Sequence, residues 1–338
     1  MRHAGPSPHE RGTLAPGARF GDRYVVERRL GGGSMGTVYE VLGDGGGRFA
    51  LKTLRAPEAK DDLIEHTERR ARFLREAAVC SAISHPNLAP VVDHGVDPAT
   101  DVPYLVMPLL AGEDLAAVLD RTGCLPPDVA VALIVQACEG LSAVHARGVV
   151  HRDVKPSNLF LETQGDRVIV RVTDFGLAKW TDEVQGALTA TGRFMGTPQY
   201  VSPEQAVSAK HADVRTDVFG LGMSLYHALA GAPAFAYARS FMELVLEITS
   251  REAPSVQDGA PWVPGEIARI VHASLLRDVE SRCPSMNELA LALDLAVGID
   301  ASRSPVTLDC LREPRESQRK RVAPRAWPPR AWEEILRG

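Results

Sequence analysis

Three side chains suited to phosphate or metal chemistry occur within six residues of one another: the carboxylate of Asp153, the ammonium group of Lys155 and the amide of Asn158. A second carboxylate, Asp174, follows in Thr-Asp-Phe-Gly, and Glu204 follows in Tyr-Val-Ser-Pro-Glu. Carboxylate and amide oxygens are the ligands that hard divalent cations prefer. A lone Asp-Phe-Gly occurs by chance, whereas the whole set in this order and at these gaps indicates a site.

A glycine-rich segment near the N-terminus has Gly31, Gly33 and Gly36 in the pattern Gly-x-Gly-x-x-Gly, followed by Val38. Glycines let backbone amides approach phosphate oxygens because no Cβ intervenes. The same pattern marks dinucleotide-binding folds, in which it joins a strand to a helix. Here the apolar alternation continues through residues 37–41, which favours a β-hairpin over a helix N-terminus.

A lysine and a glutamate complete the candidate set. Lys52 ends the apolar run Phe49-Ala-Leu-Lys, and Glu76 lies in a predicted helix over residues 63–83. Taken alone, such a lysine is an edge residue of a strand and such a glutamate is an exposed helical residue. Together with the other motifs, the two predict an ion pair that holds the ammonium group toward bound phosphates.

Length and composition describe an ordinary globular chain. The 338 residues, of which 45% are hydrophobic and 24% charged, are enough for two lobes or two small domains. The formal charge of −5 argues against general nucleic-acid binding, which is typical of a basic excess.

Compartment signals favour the cytoplasm. The five cysteines are an odd number, lie far apart and include no Cys-x-x-Cys pair, which suggests reduced thiols. Residues 1–20 contain no apolar segment of a secretory signal. The two most apolar windows, 129–146 and 218–236, are interrupted by polar residues or proline and are typical of buried helices. We expect a cytoplasmic protein without a membrane span.

Periodicity divides the chain into a strand-rich part and a helical part. Short β-like runs from about residue 24 to 107, with one helix, predict a small antiparallel lobe. After Gly112 the apolar residues follow helical spacing, with windows at 115–119, 129–146, 218–230, 241–248, 267–276 and 286–297. The predicted divisions are a disordered tail over 1–21, an N-lobe over 22–109, a C-lobe over 110–298 and an Arg/Pro-rich tail over 299–338.

The C-terminal tail contains a small internal repeat, Pro-Arg-Ala-Trp at 324–327 and again at 329–332. Composition predicts that the chain from Ala301 onward is mostly disordered. Two tryptophans in such a tail are unusual, so an alternative is a segment that docks on a partner or on the protein's own surface.

Together these motifs resemble those of Hanks-type serine/threonine protein kinases, above all the bacterial branch, and the resemblance covers about residues 22–298. It implies an α+β bilobal protein-kinase fold, with a small antiparallel β lobe carrying one main helix and a larger, mainly α-helical lobe. It also implies transfer of the ATP γ-phosphoryl group to Ser/Thr hydroxyls of proteins, with Mg²⁺ or alternatively Mn²⁺.

The resemblance assigns a role to each catalytic residue. Lys52 contacts the α- and β-phosphates and Glu76 orients it. Asp153 accepts or orients the substrate hydroxyl, and Lys155 neutralises the γ-phosphate. Thr197, in Gly-Thr-Pro, bridges the base and that lysine, and with Lys155 it indicates Ser/Thr rather than Tyr substrates. Asn158 and Asp174 supply the metal ligands.

The resemblance also implies an adenine slot and structural pairs. Met107 lies at the back of the slot, and the segment 104–110 that joins the lobes binds the base edge. The residues implied in ATP binding are Leu30, Gly31, Gly33, Gly36, Val38, Ala50, Lys52, Met107, Leu109 and Phe160. Glu204 is expected to pair with Arg282, and Asp217 to hold the backbone around His151-Arg152-Asp153; breaking either would leave a buried charge unpaired, at about 3–5 kcal/mol.

Regulation is expected in the segment 177–202, which contains Thr181, Thr189, Thr191 and Thr197. Thr189 and Thr191 resemble the autophosphorylation pair of bacterial relatives, and Arg152 the arginine that binds such a phosphate. Transient self-association would allow phosphorylation in trans. The alternative is that these threonines are ordinary polar loop residues.

Two positions depart from the family pattern. Ser202 replaces the usual alanine, a change expected to have little effect, and Pro108 replaces an acidic residue and removes one donor amide.

Three other functions remain open at this point. A pseudokinase would lack Lys52, Asp153, Asn158 or Asp174, a small-molecule kinase of the same fold would lack the peptide-binding segment, and a dinucleotide oxidoreductase is disfavoured by the strand that follows the glycines.

Overall fold

The computed structural model describes residues 14–32, 36–55, 63–174, 198–208, 212–298 and 303–311. These residues form two compact units. The first comprises the chain up to Ser84 together with Ala89–Leu110, and the second comprises His85–Leu88 and the chain from Ala111 onward. The short segment His85–Leu88 therefore belongs to the second unit although the chain on both sides of it belongs to the first.

The first unit is an antiparallel sheet of six strands with one helix. The strand order is β1-β2-β3-β4-β6-β5, and every neighbouring pair is antiparallel. Its elements are β1 Arg19–Phe20, β2 Tyr24–Gly32, β3 Gly36–Gly43, β4 Arg48–Leu54, α1 Leu63–Ser81, β5 Asp93–Val96 and β6 Pro103–Pro108.

Alternation along the strands separates the two faces of this sheet. Tyr39, Leu51 and Val106 are fully buried in one cluster with aromatic residues of β1, β2 and β6. Their neighbours one residue away, such as Val38 and Lys52, lie on the opposite face. The helix α1 packs against β5 and β6.

The second unit is mainly helical. Its helices are α2 Leu115–Thr122, α3 Pro127–His145, α4 Pro203–Val207, α5 Val214–Ala230, α6 Phe241–Ser250, α7 Val256–Gly259, α8 Gly265–Ser274 and α9 Met286–Val297. Short 3₁₀ turns cover Pro156–Asn158, Pro198–Tyr200 and Leu308–Leu311. Pro127 is the first residue of α3, and the Ser285 side chain caps α9.

The helix α3 is the centre of this unit. It packs against α9, α5 and the strand Arg167–Val172, and twelve of its residues are buried. Among the described residues, α3 is the one helix that is long and apolar enough to cross a membrane. However, 67% of its apolar 18-residue segment is buried inside the fold. That burial is what a core helix of a globular domain requires.

A second sheet of four strands belongs to this unit, and two of its strands lie between α3 and α4, where the periodicity of the sequence predicted none. Its strands are β7 Gly112–Asp114, β8 Leu159–Gln164, β9 Arg167–Val172 and β10 Val306–Thr307, in the order β10-β9-β8-β7. Asn87 covers the end of β9, because its carbonyl accepts from Val172 N at 2.9 Å and its Nδ2 donates to the carbonyl of Val170 at 3.0 Å. These bonds explain why residues 85–88 belong to the second unit.

The expectation of a disordered chain from Ala301 onward is wrong for residues 303–311, which we call the C-terminal strap. Val306 pairs with Val168, adding β10 to the sheet. Arg303 contacts Asp294 on α9 at 2.8 Å and Glu139 on α3 at 2.6 Å. Arg121 on α2 donates to the carbonyl of Leu311 at 3.0 Å. The Pro-Arg-Ala-Trp repeats lie outside the described residues.

Candidate active site

The carboxylate, lysine and amide singled out in the sequence form one hydrogen-bonded cluster. Lys155 Nζ donates to Asp153 at 3.0 Å. Asn158 Nδ2 donates to the Asp153 carboxylate at 2.9 Å and to the Asp153 carbonyl at 2.7 Å. With both amide hydrogens committed to Asp153, the remaining polar atom of the Asn158 side chain is its oxygen, which is a ligand type for a hard cation.

His151 links this loop to the residue before Asp174. The ring is fully buried; its Nδ1 accepts from Asp153 N at 3.2 Å and its Nε2 lies 2.9 Å from the carbonyl of Thr173. Only the neutral tautomer with the proton on Nε2 satisfies both contacts. Thr173 N in turn donates to the carbonyl of Asn158 at 2.9 Å. The two proposed metal ligands thus lie on segments that are bonded to each other.

Two residues of this region have strained backbones. Arg152 has φ of 64° and Asp174 has φ of 53°, both in the left-handed region that non-glycine residues rarely adopt. Such conformations persist only when the surrounding structure holds them, and they are concentrated at functional sites. Arg152 precedes Asp153, and Asp174 is itself one of the two residues predicted to bind the metal.

Asp217, on α5, holds the backbone before Asp153. Its Oδ2 accepts from His151 N at 2.8 Å and its Oδ1 from Arg152 N at 2.7 Å. His145 Nε2 lies 2.7 Å from the same carboxylate. The contact expected of Asp217 from the sequence is therefore present in the structure.

The pair expected between Glu204 and Arg282 is also present. Arg282 is buried, and its two terminal nitrogens donate to the two carboxylate oxygens at 2.8 and 2.9 Å. Thr216 Oγ1 donates to the same carboxylate at 2.8 Å. Burial by itself would raise the pKa of Glu204, but the hydrogen bonds and charge of Arg282 outweigh it and the net shift of the pKa is downward.

The residues placed in a nucleotide pocket lie in register on the sheet of the first unit. Val38 is opposite Lys52, and Ala50 is opposite Met107. Since Ala50 and Lys52 are two residues apart on β4, all four side chains belong to the face opposite the aromatic cluster. Lys52 is buried, with 7% of its surface exposed, so its ammonium group is held within the fold.

The glycines of the first motif differ in what surrounds them. A Cβ on Gly36 would lie 1.9 Å from the carbonyl oxygen of Thr53, so this position requires glycine for strand packing. A Cβ on Gly31 would have no atom of the described residues within 4 Å. Packing therefore explains Gly36 but not Gly31. Gly33 lies outside the described residues.

Three other residues implied in ATP binding lie on or beside the two sheets. Leu30 is partly exposed near the end of β2, and Phe160 on β8 pairs with Asp114 of β7. The N–H of Leu109 makes a long bond of 3.4 Å to the carbonyl of Arg48 within the sheet. That amide is committed to the protein, so base recognition would use other backbone atoms of the segment 104–110.

Several predicted positions cannot be described. The backbone of Glu76 lies on α1, but its side chain is outside the described residues, so the Lys52–Glu76 pair stays a prediction. Thr197 and the threonines at 181, 189 and 191 also lie outside them.

A divalent cation fits the ligands that are present. Among the residues that the structure describes, no group of three or more His, Cys, Asp or Glu side chains could hold a metal. Mg²⁺ in phosphate-transferring sites is bound by one or two carboxylates together with substrate phosphates and water. The oxygen donors of Asn158 and Asp174 match that limited set.

Sequence reasoning missed Gln205 and underestimated Ser202. Both are buried, and the two form a capping box at the start of α4. Gln205 Nε2 also donates to the carbonyl of Arg152 at 3.0 Å. The Ser-x-x-Gln spacing that marks a capping box is visible in the sequence, but the bond to Arg152, 53 residues away, is not.

The protein kinase domain family matches residues 24–290 of this chain. The chain therefore belongs to the protein kinase family, and its two units are those of the α+β protein-kinase fold. Members of this family use ATP and a divalent metal to phosphorylate proteins.

The similar proteins are bacterial serine/threonine kinases. The chain is 34% identical over 280 residues to a probable serine/threonine-protein kinase of Corynebacterium efficiens, covering 81% of this chain and 41% of the relative. It is 33% identical over 320 residues to the serine/threonine-protein kinase PknA of Mycobacterium tuberculosis, covering 92% and 68%. The solved PknI kinase domain of M. tuberculosis matches with a TM-score of 0.65 and 29% identity, covering 85% of this chain and 100% of that one.

The chain spans about half the length of several curated relatives that it matches: 41%, 42% and 52% in three of them. The similarity thus concerns the kinase domain that they share.

Proposed function

We propose that this chain transfers the γ-phosphoryl group of ATP, with Mg²⁺, to serine and threonine hydroxyls of protein substrates. The observation that carries the proposal is the Asp153–Lys155–Asn158 cluster on a strained loop. The Asp153 carboxylate, which accepts from Lys155 and Asn158, can orient one hydroxyl group. Phosphoryl transfer depends mainly on such positioning and on charge stabilisation.

Each group in the cluster has a separate task. Asp153 accepts a hydrogen bond from the substrate hydroxyl and then its proton. The positive charge of Lys155 lies beside that carboxylate. It would stabilise the negative charge on the oxygens of the transferred phosphoryl group. Asn158 and Asp174 are the residues that would hold Mg²⁺, and the metal supplies neutralisation of the phosphate charge when bound. Mn²⁺ is an alternative metal at Asn158 and Asp174. Lys52 would bind phosphate oxygens of the nucleotide.

The space beside Gly31 supports a nucleotide in the first unit. No atom of the described residues explains why this residue lacks a side chain. Backbone approach to phosphate oxygens is a physical reason for glycine at such a position.

The direct test is phosphorylation of a basic and an acidic model protein with radiolabelled ATP, for wild type and Asp153→Asn. General-base residues contribute about 10²–10⁴-fold, so we expect a loss of that size, with the label on phosphoserine and phosphothreonine after acid hydrolysis. If wild type and Asp153→Asn incorporated equal amounts of label into the model proteins, the result would favour a pseudokinase. Label found only on small molecules would favour the small-molecule kinase.

We infer activation by autophosphorylation of Thr189 and Thr191 from their spacing before Thr197. A phosphothreonine adds nearly two negative charges and can order a loop against arginines such as Arg152. The Thr189→Ala, Thr191→Ala double variant is expected to lose most activity toward a protein substrate. If its activity equals that of wild type, the switch does not exist.

Self-association and tail docking follow as proposals about partners. Phosphorylation in trans through transient self-association predicts that the rate of autophosphorylation per molecule rises with protein concentration. If the segment with Trp327 and Trp332 docks on a partner, the double variant Trp327→Ala, Trp332→Ala should phosphorylate that partner more slowly but a short peptide at the same rate.

A cytoplasmic location is supported by the five free cysteines.

A further inference from the structure

The residue before the proposed base is held at both of its polar backbone atoms. Arg152 is in the left-handed region, with φ of 64°. Its N–H donates to Asp217 Oδ1 at 2.7 Å, and its carbonyl accepts from Gln205 Nε2 at 3.0 Å. A strained residue relaxes unless the structure holds it, so these two bonds set the backbone direction in which Asp153 leaves Arg152.

The amide of Gln205 can face Arg152 in only one orientation. Its Oε1 accepts from the backbone N–H of Ser202 at 3.3 Å and from Ser202 Oγ at 3.2 Å. The backbone N–H of Ser202 can only donate and the Arg152 carbonyl can only accept, so the amide oxygen must face Ser202 and the nitrogen must face Arg152. Ser202 and Gln205 are 0% and 2% exposed, so bulk solvent does not reach either side chain.

We propose that Gln205 is a positioning residue for Asp153, acting through the Arg152 carbonyl, and that Ser202 sets the orientation of the Gln205 amide. The proposal rests on the proposed function, in which Asp153 is the base. Ser202 is therefore more than a neutral replacement for alanine. It connects the start of α4 to the loop that carries the chemistry.

A capping role must be separated from this one. Ser202 Oγ also accepts from Gln205 N at 3.4 Å, which caps α4 whatever side chain residue 205 carries. Removing the hydroxyl would therefore weaken the helix even if the bond to Arg152 had no effect on activity. The variants below are chosen because the two roles respond to them differently.

The first experiment replaces the Gln205 side chain. Gln205→Met keeps the volume and the bond from residue 205 N to Ser202 Oγ, but it removes both the donor to Arg152 and the acceptor for Ser202. Gln205→Glu keeps an acceptor for Ser202 and places a second oxygen against the Arg152 carbonyl. We expect kcat to fall about tenfold in the first variant and further in the second, with KM for ATP unchanged, because small misplacements of a reacting group reduce rates strongly.

Hydrogen exchange followed by mass spectrometry gives a readout that does not depend on activity. Amides of residues 150–158 are expected to exchange faster in Gln205→Met than in wild type, with exchange in α8 and α9 unchanged. Ser240→Ala is the matched control, since Ser240 caps α6 by accepting from Glu243 N at 3.1 Å and has no such link to Arg152. It is expected to leave both kcat and the loop unchanged.

A double-mutant cycle then tests how Ser202 acts. If Ser202 acts through Gln205, Ser202→Ala lowers kcat a few-fold in the wild-type background and has no effect in the Gln205→Met background. If Ser202 Oγ acted only by capping α4, Ser202→Ala would have the same effect in both backgrounds, because that bond is made by the backbone N–H of residue 205.

Two results would overturn the proposal: Gln205→Met with wild-type kcat and unchanged exchange over 150–158, or an equal Ser202→Ala effect in both backgrounds. Failure of the proposed function looks different. In that case wild type would be no faster than Asp153→Asn, while faster loop exchange in Gln205→Met would still show that Gln205 holds Arg152.

Discussion

Lys52 and Asp153 are positioned by different kinds of structure. Lys52 lies on β4, paired by backbone hydrogen bonds to β3 on one side and β6 on the other. Asp153 lies on a loop whose backbone is held by side chains from other segments, among them Asp217 and Gln205. The first residue is placed by strand register, and the second by long-range contacts between side chain and backbone.

This difference has a physical consequence for mutation. Strand pairing uses main-chain groups, so a change of the Lys52 side chain leaves the sheet in place. The loop depends on individual side chains, and removing one of them leaves a backbone N–H or carbonyl of the loop without its hydrogen-bond partner. Changes on the sheet should thus separate activity from folding, whereas changes around the loop should affect both.

On the sheet, the largest effect is expected from Lys52→Met. Loss of one positive charge that stabilises phosphate oxygens should lower kcat about 10²–10³-fold. The melting temperature should stay within about 2 °C of wild type, since methionine fits a buried strand position. Calorimetry beside the kinase assay checks both values. A large drop in melting temperature would contradict the comparison.

Asp217→Asn should damage folding and activity together. An asparagine can accept from only one of the two N–H groups of His151 and Arg152, and its own amide would face the other. We expect about 3 kcal/mol less stability in urea unfolding, together with faster hydrogen exchange over residues 150–153. Wild-type exchange in this variant would show that the loop does not need the carboxylate.

The two glycines of the first motif give a matched pair within the sheet. Gly36→Ala places a Cβ against the Thr53 carbonyl and should destabilise the protein by about 2 kcal/mol. Gly31→Ala should change stability by less than about 0.5 kcal/mol, because the described residues leave room for the methyl group. It should instead raise KM for ATP. If the two variants behaved alike, packing would not distinguish these positions.

His272 on α8 provides a test of global stability that is separate from the loop. Burial lowers its pKa to about 4, against the opposing charges of Asp258 and Glu252, and its Nε2 accepts from Val256 N at 3.1 Å. Between pH 6.5 and 4 the unfolded chain binds a proton that the folded chain does not, so stability falls as the pH falls through this range.

The expected loss through His272 is about 1–2 kcal/mol, reduced from the full shift because the residue is partly exposed. His272→Gln keeps an acceptor for Val256 and should flatten the pH dependence of the melting temperature between pH 6.5 and 4. Exchange over residues 150–158 should be the same in both proteins at pH 7. An unchanged pH profile would mean that other groups dominate acid unfolding.

Sequence reasoning worked best where local pattern decides structure. The helix over Met286–Val297 was predicted at the observed bounds, and α1 was predicted two residues too long at its end. Alternation over residues 24–107 indicated the antiparallel sheet. Register and helical spacing are local properties of the chain, so residues such as Lys52 could be placed on strands in advance.

It worked least well where distant segments cover polar backbone. The strands β8 and β9 were not predicted, because Gly165-Asp166 and the surrounding polar residues resemble a loop. Nothing in the local sequence of Gln205 points to the Arg152 carbonyl. The pairings of Glu204 and Asp217 were expected only from resemblance to a family, which carries long-range information that a single sequence lacks.

The C-terminal strap changes where this domain can be cut. Asp294 is buried, and Arg303 supplies the guanidinium beside it. A chain ended at Gly298 would retain every proposed catalytic residue, yet it would leave that carboxylate without this cation and the edge of β9 without β10. For transplanting the domain into a chimera, the safe limit is Leu311 rather than the last turn of α9.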